Sequence, residues 1–536
     1  MTAAAPNPAF TRASRPEYLK KLKQASKQNP LDVLVLGGGI NGAGILRDLA
    51  LRASGGKKPL KLALVDKRHF ASGTSSRNSQ LLHGGLRYLK NLEFKLVKEA
   101  LHERSALKRI APHLVDPLPF LIPFHGPVDR LIYGTGLMLY DLLAGADNIG
   151  RRSFLTKEQA SALEPGLNLE GLSSAGVYYD CKVEAARLVL ENIFDAARLG
   201  ATAVNYTEAL EWRLDGDTFR VKLREQFSGE EFVVHARRLV DARGPWDGGG
   251  NLRLVRGSHL VYPKLSASDH AIAHFHTDGR IFFVIPWGPN NTRSLVGTTD
   301  ADHTGAADEV KISAEEVRYI REVAAAIFPH AGGIEPIAAY SSLRPLVKSG
   351  EASATKTSRE HRIFEEPPGV VRITGGKYTT YRVMSAEASD LAWPELAGSC
   401  RTDAVALGGN TPEAFASVNE QVDVTAARTG IYRSDVAMIV KLFGVQAPGV
   451  LERAPQEGAS DERALTAVLD WTLEHEMIER MPDFLFVSTY LGHEERWDEG
   501  LLAHLASDMG ARLGWDAGRR KEEVALALRI VSMPRA

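Results

Sequence analysis

The alternation of apolar and polar positions along the chain predicts a protein that combines strands with helices. Residues 31–36, LDVLVL, form a nearly continuous apolar run, which is typical of a buried strand. After a cluster of glycines, the segment INGAGILRDLALRA (40–53) changes to the apolar spacing of a helix, and KLALVDK (61–67) predicts the next strand. A strand, a helix and a strand in this order indicate a parallel, Rossmann-like unit.

The rest of the pattern divides the chain into further parts. Helix-like and strand-like pieces alternate to about residue 250, a strand-rich stretch covers about 255–300, and helical spacing returns at 313–328. The strand VVRIT then leads into two glycines and a helix, and beyond about 400 the spacing is mostly helical. We therefore expect an α/β (α+β) protein with a basic arm at 1–30, a main part at 31–395 and a helical C-terminal domain at 400–536.

The segment 10–30, FTRASRPEYLKKLKQASKQNP, is polar and basic. We interpret it as a solvated arm with a short helix around 16–27, because runs of charge usually form solvated faces. The alternative is contact with a membrane surface, since anionic lipid attracts such clusters.

Composition narrows the class of protein. The net charge of −1 gives no argument for nucleic acid as a partner, because nucleic-acid-binding proteins usually carry a strongly basic surface. Two cysteines exclude a disulfide framework and a thiolate metal site, which suits a reducing compartment. No signal peptide is apparent, and the apolar segment LIYGTGLMLYDLLAGA (131–146) is too short for a transmembrane helix.

A dinucleotide fingerprint lies between the first strand and the first long helix. Gly37, Gly39 and Gly42 form G-x-G-x-x-G, and Asp66 ends the next strand 24 residues after Gly42. The first glycine makes the turn, the second admits a pyrophosphate at the helix N-terminus, and the third lets the helix and strand pack closely. The acid accepts a hydrogen bond from a ribose hydroxyl. This pattern predicts a dinucleotide but does not separate NAD from FAD.

More specific motifs follow the fingerprint. Residues 68–107 read RHFASGTSSRNSQLLHGGLRYLKNLEFKLVKEALHERSAL. Further motifs follow in order: GPW (244–246), GSHLV (257–261), FFVIPW (282–287), VGTTD (296–300), SSLRPL (341–346), TSREHRI (357–363), GGKYTTYR (375–382) and EHEMIERMPDFL (474–485). Together they resemble the FAD-dependent glycerol-3-phosphate dehydrogenases of the respiratory type, over about residues 30–500.

The resemblance implies a discontinuous FAD-binding domain, an antiparallel-sheet substrate domain at about 255–345 and a helical C-terminal domain. It also implies oxidation of sn-glycerol 3-phosphate to dihydroxyacetone phosphate, with a hydride passed to FAD and electrons passed to membrane quinone. A cytoplasmic protein that contacts the inner face of the cell membrane peripherally agrees with this activity, as does a homodimer. The reaction needs no metal, so we assign none to His270, His274 and His276.

The cofactor residues are expected to hold FAD by backbone amides and hydroxyls. Gly84 and Gly85 would give the flavin ring room, His83 would pack beside it, and the Gly375–Gly376 turn would face its pyrimidine edge. Besides the fingerprint and Asp66, the full expected set is Thr74, Ser75, Ser76, His83, Gly84, Gly85, Leu86, Ala209, Gly244, Gly375, Gly376 and Thr379. An N-cap is the alternative role for the Thr-Ser-Ser run.

The reaction also needs cations for a phosphate and a base for the C2 hydroxyl. The resemblance assigns the phosphate to Arg87, Tyr88, Arg359 and Lys377 and places Arg344 nearest the reacting hydroxyl, where a permanent cation stabilises a developing alkoxide. For the base we choose His259, because imidazole titrates near neutral pH; His83 is the competitor.

Some positions depart from the family pattern. Gln80 replaces a usual lysine near the flavin, Asn78 and Ser79 replace Ser and Thr, and Asp241 and Arg243 replace Asn and Thr, where an internal pair would compensate. Three alternatives therefore stay open: a glycerol-3-phosphate oxidase that produces H2O2, a flavoenzyme for a 2-hydroxy acid or an amine, and a flavin-binding protein without turnover.

Overall fold

Two large sheets and a helical C-terminal region make up the chain. The computed structural model describes residues 10–55, 59–86, 89, 93–247, 252–276, 278–347 and 361–534. The strands are β1 (Leu31–Leu36), β2 (Leu62–Val65), β3 (Leu81–Leu82), β4 (Val115–Phe124), β5 (Ser153–Thr156), β6 (Ser174–Val183), β7 (Thr202–Val204), β8 (Thr207–Asp215), β9 (Thr218–Glu225), β10 (Glu231–Asp241), β11 (Leu252–Pro263), β12 (Ala271–Phe275), β13 (Ile281–Trp287), β14 (Arg293–Gly297), β15 (Ala301–Asp302), β16 (Ala338–Val347), β17 (His361–Glu365) and β18 (Val370–Gly375).

The helices connect and cover these strands. They are α1 (Ser14–Lys23), α2 (Ile40–Ser54), α3 (Phe94–Ile110), α4 (Pro127–Ala144), α5 (Lys157–Leu163), α6 (Ala185–Arg198), α7 (Ala314–Ile327), α8 (Tyr381–Ala392), α9 (Pro412–Asn419), α10 (Val422–Thr429), α11 (Arg433–Phe443), α12 (Ala447–Leu451), α13 (Ser460–His475), α14 (Glu499–Leu513) and α15 (Ala517–Val531). Short helical turns at Met481–Asp483 and Leu491–Glu494 lie between α13 and α14.

The first sheet is the Rossmann-like unit that the sequence predicts. Its central strands run parallel in the order β18, β10, β1, β2, β7, with β17 antiparallel at one edge and the β8–β9 hairpin joined to β10. The strand β1 is almost wholly buried, as its continuous apolar run requires. Helices α6 and α8 pack against α2 on this sheet. The predicted parallel arrangement is therefore confirmed.

The second sheet is mostly antiparallel. Its order is β15, β11, β14, β13, β12, β4, β6, β3, with β16 paired to β11 and β5 to β6. It joins strands between 81 and 183 to strands between 252 and 347, so it extends well beyond the stretch 255–345 that the sequence indicates for the substrate part. The reason is long-range pairing: β12 lies beside β4, about 150 residues earlier in the chain.

The N-terminal segment is packed, contrary to its interpretation as a solvated arm. Helix α1 begins at Ser14, earlier than expected, and buries Tyr18 and Leu22. The Arg15 guanidinium donates to the Glu225 carboxylate at 2.9 Å and to the side chain of Asn205 at 2.9 Å. Buried partners far away in sequence therefore hold this basic segment against the first sheet.

The C-terminal helices enclose an apolar core of their own, which runs from Val422 to Ala527. Within the described part of the chain, Arg433–Leu451 is the one helical stretch that is long and apolar enough to cross a bilayer, and half of it is buried inside the protein. It consists of α11 and α12 joined through a turn at Gly444, so the two helices pack as core elements of this region.

Candidate active site

A cavity of about 470 Å³ extends from the β1–α2 turn to the β11 and β16 strands of the second sheet. Sixteen of the expected residues line it: Gly37, Gly39, Asp66, Thr74, Ser75, His83, Gly85, Leu86, Ala209, Gly244, His259, Arg344, Gly375, Gly376, Lys377 and Thr379. Arg87, Tyr88 and Arg359 lie outside the described residues, so their phosphate-binding role stays a prediction.

The glycines of the fingerprint shape the end of the cavity at α2. Gly37 adopts φ +104°, a left-handed backbone that other residues rarely adopt. Gly42 does not line the cavity; a Cβ there would overlap the carbonyl oxygen of Gly37, so this glycine lets α2 pack closely on β1. Gly39 caps α2, and the first amide of the helix donates to the Ser75 hydroxyl at 3.0 Å.

Asp66 lies where β2 ends and is held by two backbone amides. Its carboxylate accepts from the amides of Gly38 at 2.6 Å and Arg68 at 2.8 Å. Burial raises the pKa of Asp66 to about 6, whereas these hydrogen bonds act in the opposite direction. The carboxylate is thereby fixed at the cavity wall, and its contact with a ribose hydroxyl stays a prediction.

The hydroxyls of Thr74 and Ser76, in the Thr-Ser-Ser run, have different hydrogen-bond partners. The Thr74 hydroxyl donates to the carbonyl of Leu343 at 2.7 Å and ties this loop to β16. The Ser76 hydroxyl donates to the carbonyl of Gly73 at 3.3 Å, and the residue does not line the cavity. The Ser76 side chain completes the local turn, and a cofactor contact of this residue stays a prediction.

Gly84 and Gly85, which were both expected to give the flavin room, have different surroundings. A Cβ on Gly84 would lie 2.5 Å from the Tyr140 hydroxyl and 2.7 Å from Leu101, and its amide donates to that hydroxyl at 2.8 Å. Gly84 is thus needed for packing against α3 and α4, whereas Gly85 lines the cavity. The His83 amide at the same loop donates to the Thr379 hydroxyl at 3.2 Å.

Some of the residues that depart from the family pattern have side-chain hydrogen-bond partners in the structure. Arg243 donates to Asp241 through Nε at 2.9 Å and through a terminal nitrogen at 2.5 Å, which is the internal pair that the sequence suggested. Gln80 is buried outside the cavity, and its side-chain nitrogen Nε2 has no hydrogen-bond partner among the described residues. The effect of Gln80 on the flavin stays a prediction.

Arg344 is fixed at the opposite end of the cavity. Its guanidinium donates to the Asp300 carboxylate at 2.7 Å and to the Thr298 hydroxyl at 2.9 Å. A Cβ on Gly257, in the adjacent strand β11, would overlap this guanidinium, so the missing side chain lets Arg344 lie across β11. The VGTTD motif by itself predicts no role for Thr298 or Asp300, because spacing along the chain does not show which acid pairs with an arginine.

His259 lies two residues beyond Gly257 on the same strand and is buried. Its Nε2 and the Ser79 hydroxyl are 2.8 Å apart, and its Nδ1 has no hydrogen-bond partner among the described residues. Burial, with a smaller contribution from the Arg344 cation, lowers the pKa of His259 to about 3. The ring is therefore neutral near pH 7, and its pKa lies well below the near-neutral value for which the sequence favoured His259 as the base.

A stack of rings joins His259 to the C-terminal region. His259 stacks on Tyr340 with ring centroids 5.0 Å apart, and Tyr340 lies 4.6 Å from the ring of His493. The Tyr340 hydroxyl donates to the carbonyl of Asn78 at 2.9 Å. Neither Tyr340 nor His493 is predicted from the sequence, since no motif marks an aromatic ring that packs against a candidate site histidine.

The remaining wall of the cavity is mostly aromatic and apolar. Phe120, Phe275, Ile281 and Phe283 line it, together with the guanidinium-bearing Arg280. Arg280 is a further cation that the sequence analysis did not single out.

Comparison with known proteins agrees with this geometry. The family described as FAD dependent oxidoreductase matches residues 32–381. The glycerol-3-phosphate dehydrogenase of Mycobacterium leprae is 36% identical over 445 residues, covering 79% of this chain and 74% of that protein. The aerobic glycerol-3-phosphate dehydrogenase of Bacillus subtilis is 30% identical over 523 residues, covering 90% of this chain and 92% of that protein.

Solved structures share the fold. The glycerol-3-phosphate dehydrogenase from Bacillus halodurans, complexed with FAD, superposes with a TM-score of 0.77 at 24% identity, covering 98% of this chain and 99% of that one. The L-alpha-glycerophosphate oxidase from Mycoplasma pneumoniae gives 0.53 at 18% identity over 68% of this chain and 94% of that one.

The donors of the cavity fit FAD. The glycine turn at α2 would leave space for a pyrophosphate, Asp66 would supply the ribose acceptor, and the 83–86 loop with the Gly375–Gly376 turn would supply backbone beside a ring. The chain belongs to the FAD-dependent oxidoreductases and, within them, to the glycerol-3-phosphate dehydrogenase family.

Proposed function

We propose that this protein oxidises the C2 hydroxyl of sn-glycerol 3-phosphate to a ketone, which gives dihydroxyacetone phosphate. One observation carries the proposal: the anchored Arg344 guanidinium lies across Gly257, next along β11 to the buried, neutral His259, at the end of a dinucleotide cavity. When bound, FAD supplies the acceptor for the C2 hydride. The substrate is inferred from the relatives, which are glycerol-3-phosphate dehydrogenases.

His259 takes the hydroxyl proton in this proposal. The neutral imidazole accepts the proton as the C2–H bond breaks. Burial and the nearby Arg344 cation oppose protonation of the ring, so the pKa of His259 is about 3. A phosphate dianion in the same cavity acts in the opposite direction, because it favours the charged ring. The substrate therefore raises the basicity of its own proton acceptor.

Arg344 stabilises the negative charge that develops on the C2 oxygen. Asp300 and Thr298 hold the guanidinium in one orientation before the reaction, so little reorganisation is needed in the transition state. Lys377 at the cavity wall, with Arg87, Tyr88 and Arg359, binds the phosphate in this proposal, and Arg280 adds a cation on the apolar side.

The decisive experiment is anaerobic addition of glycerol 3-phosphate to the purified holoenzyme. We expect the visible absorbance of the flavin to be lost. The variant Arg344→Gln should keep its flavin but bleach about 10²- to 10³-fold more slowly, since one charge-stabilising group is removed. Arg321→Gln, which removes an exposed arginine paired with Glu335, is the matched control and should bleach at the wild-type rate.

Two outcomes of this experiment would contradict the proposed function. Bleaching by a 2-hydroxy acid or an amine, without bleaching by glycerol 3-phosphate, would assign the enzyme to a different substrate class. A flavin that no candidate substrate reduces would indicate a binding protein without turnover.

We also propose membrane quinone as the electron acceptor, with a homodimer and peripheral contact with the inner face of the membrane. The acceptor is tested by reduction of a water-soluble quinone analogue against formation of H2O2 in air. Rapid peroxide formation with no quinone reduction would reassign the enzyme as an oxidase.

A further inference from the structure

One buried carboxylate at the cavity wall is not used in the proposed reaction. It belongs to Asp180, which lies on β6 and lines the cavity. In the antiparallel pairing of β3 with β6, Leu82 lies opposite Cys181, so the next step of the register brings His83 opposite Asp180. The carboxylate therefore lies beside the 83–86 loop, against which we expect the flavin ring to pack.

Three donors converge on a single oxygen of this carboxylate. Asp180 Oδ1 accepts from the Tyr140 hydroxyl at 2.6 Å, from Arg104 at 2.7 Å and from the Gly84 amide at 3.3 Å. The same Gly84 amide donates to the Tyr140 hydroxyl at 2.8 Å. One backbone group of the loop is thus bonded to two side chains, and helices α3 and α4 supply the other members of the network.

The ion pair between Asp180 and Arg104 is shielded from bulk solvent. The exposed fraction of the side chain is 2% for Asp180 and 1% for Arg104. Burial raises the pKa of Asp180, whereas the Arg104 cation and the hydrogen bonds act against that rise. Removal of one member of such a pair leaves the other charge without compensation inside the protein.

Aromatic rings cover this pair on the side of the second sheet. Tyr178, on the same face of β6 as Asp180, meets Tyr140 edge-on with ring centroids 5.7 Å apart and stacks on Phe120 at 5.0 Å. Tyr178 and Phe120 also line the cavity. Because apolar surroundings screen a charge weakly, an unbalanced charge here would act on a ligand in the cavity more strongly than a surface charge would.

We propose that Asp180 is a positioning residue for FAD, which fixes the 83–86 loop and balances the charge of Arg104 so that the reduction potential of the bound flavin stays low. Reduction adds negative charge to a flavin, so an unbalanced cation nearby would favour the reduced form. The proposal goes beyond the proposed function, since it depends on the placement of the ring beside the loop and not on the identity of the substrate.

The test is the reduction potential of the FAD-loaded protein, measured anaerobically by stepwise reduction beside a reference dye of known potential. Asp180→Asn keeps an acceptor for Tyr140 and Gly84 but removes the negative charge. We expect the equilibrium constant for flavin reduction to rise about tenfold in this variant, which is equivalent to about 30 mV for a two-electron couple. A residue that served packing alone would not change the potential in this direction.

Two further variants separate charge from packing. Asp195→Asn removes another buried acid, which pairs with Arg47 at 3.0 Å, and neither of these residues lines the cavity, so its potential should equal that of wild type. Tyr140→Phe keeps the ion pair but removes the hydroxyl that bonds Gly84. Its dissociation constant for FAD should rise about 3- to 10-fold, because hydrogen bonds that hold the loop are lost, while its potential stays at the wild-type value.

An unchanged potential in Asp180→Asn would overturn the proposal, as would an equal rise in Asp195→Asn or a wild-type FAD affinity in Tyr140→Phe. If Asp180→Asn does not fold with bound FAD, Arg104→Gln takes its place; its equilibrium constant should fall about tenfold, and an unchanged value would also overturn the proposal. None of these measurements uses glycerol 3-phosphate. A wild-type flavin that this substrate does not reduce would refute the proposed function and leave the test of Asp180 intact.

Discussion

At the scale of single residues, the site depends on how Arg344 is held. Its guanidinium meets Asp300 from the end of another strand and passes over a glycine, so its position is set before substrate binds. A lysine or arginine without such partners would lose side-chain entropy when the substrate binds, which would reduce the binding free energy.

The variant Asp300→Asn tests this positioning role. It keeps an acceptor but removes the charge, so we expect kcat to fall about tenfold, equivalent to about 1.4 kcal/mol in the barrier, with little change in KM. Asp302→Asn, two residues away, breaks only an exposed pair with Arg253 and should leave kcat unchanged. Measurements of kcat, KM and flavin content decide the matter; a rise in KM alone would mean that Asp300 serves substrate binding.

The low pKa of His259 gives a prediction for stability. The pKa is about 3 in the folded protein against 6.5 ordinarily, so between these values the unfolded chain binds a proton that the folded chain does not. The free energy of unfolding therefore falls as the pH falls below 6.5, by about 2 kcal/mol at pH 5 from this group.

We expect His259→Asn to lose less stability than wild type between pH 7 and pH 5, measured by urea unfolding. His504→Asn, at an exposed position, should follow wild type and serves as the control. Parallel losses in wild type and His259→Asn would contradict the assigned pKa.

At the scale of elements, α2 illustrates how a local pattern positions a helix. Its spacing from β1 is limited by Gly42, where any Cβ would overlap the Gly37 carbonyl. Because both residues belong to one short turn, this part of the cofactor site is readable from sequence.

Gly42→Ala should therefore displace α2 and lower the flavin content of the purified protein. The free energy of unfolding should fall by about 1–3 kcal/mol, as is usual when a well-packed site is overpacked. Gly55→Ala, at the other end of α2, is the control, because the nearest atom to its Cβ would be 3.7 Å away. Flavin absorbance per protein and the thermal midpoint are the measurements. Normal flavin content in Gly42→Ala would show that the turn tolerates a methyl group.

At the scale of the whole molecule, the C-terminal region completes the environment of His259, the proposed base. His493 contacts Tyr340, and Tyr340 stacks on His259, so helices that carry no expected substrate ligand limit how the ring of His259 can move. We therefore assign His493 as a positioning residue.

His493→Ala should lower kcat about ten- to hundredfold through loss of orientation at His259, with KM little changed. His493→Phe keeps a ring against Tyr340 and should recover most of the activity. A merely structural role would lower the thermal midpoint of His493→Ala without changing kcat, which would contradict the assignment.

The sequence by itself determined the strand–glycine–helix unit, the dinucleotide site and the residue types available for chemistry, because these depend on residue type and short spacing, whereas FAD as the cofactor was implied by the resemblance of the motifs to a known family. The φ of Gly37 and the packing of Gly42 are such local properties. The internal pair between Asp241 and Arg243 is another, since a single residue lies between them.

Only the tertiary structure decided which groups meet. The burial of the basic segment at α1 depends on Glu225 and Asn205, far along the chain, and the need for glycine at 84 depends on Tyr140 and Leu101. The same holds for α4: its sequence is apolar on several sides, and packing of its tyrosines against the cavity wall and the Gly84 loop decides which residues face outward. Long-range contacts are set by the pairing of distant strands, and spacing along one chain does not encode that pairing locally.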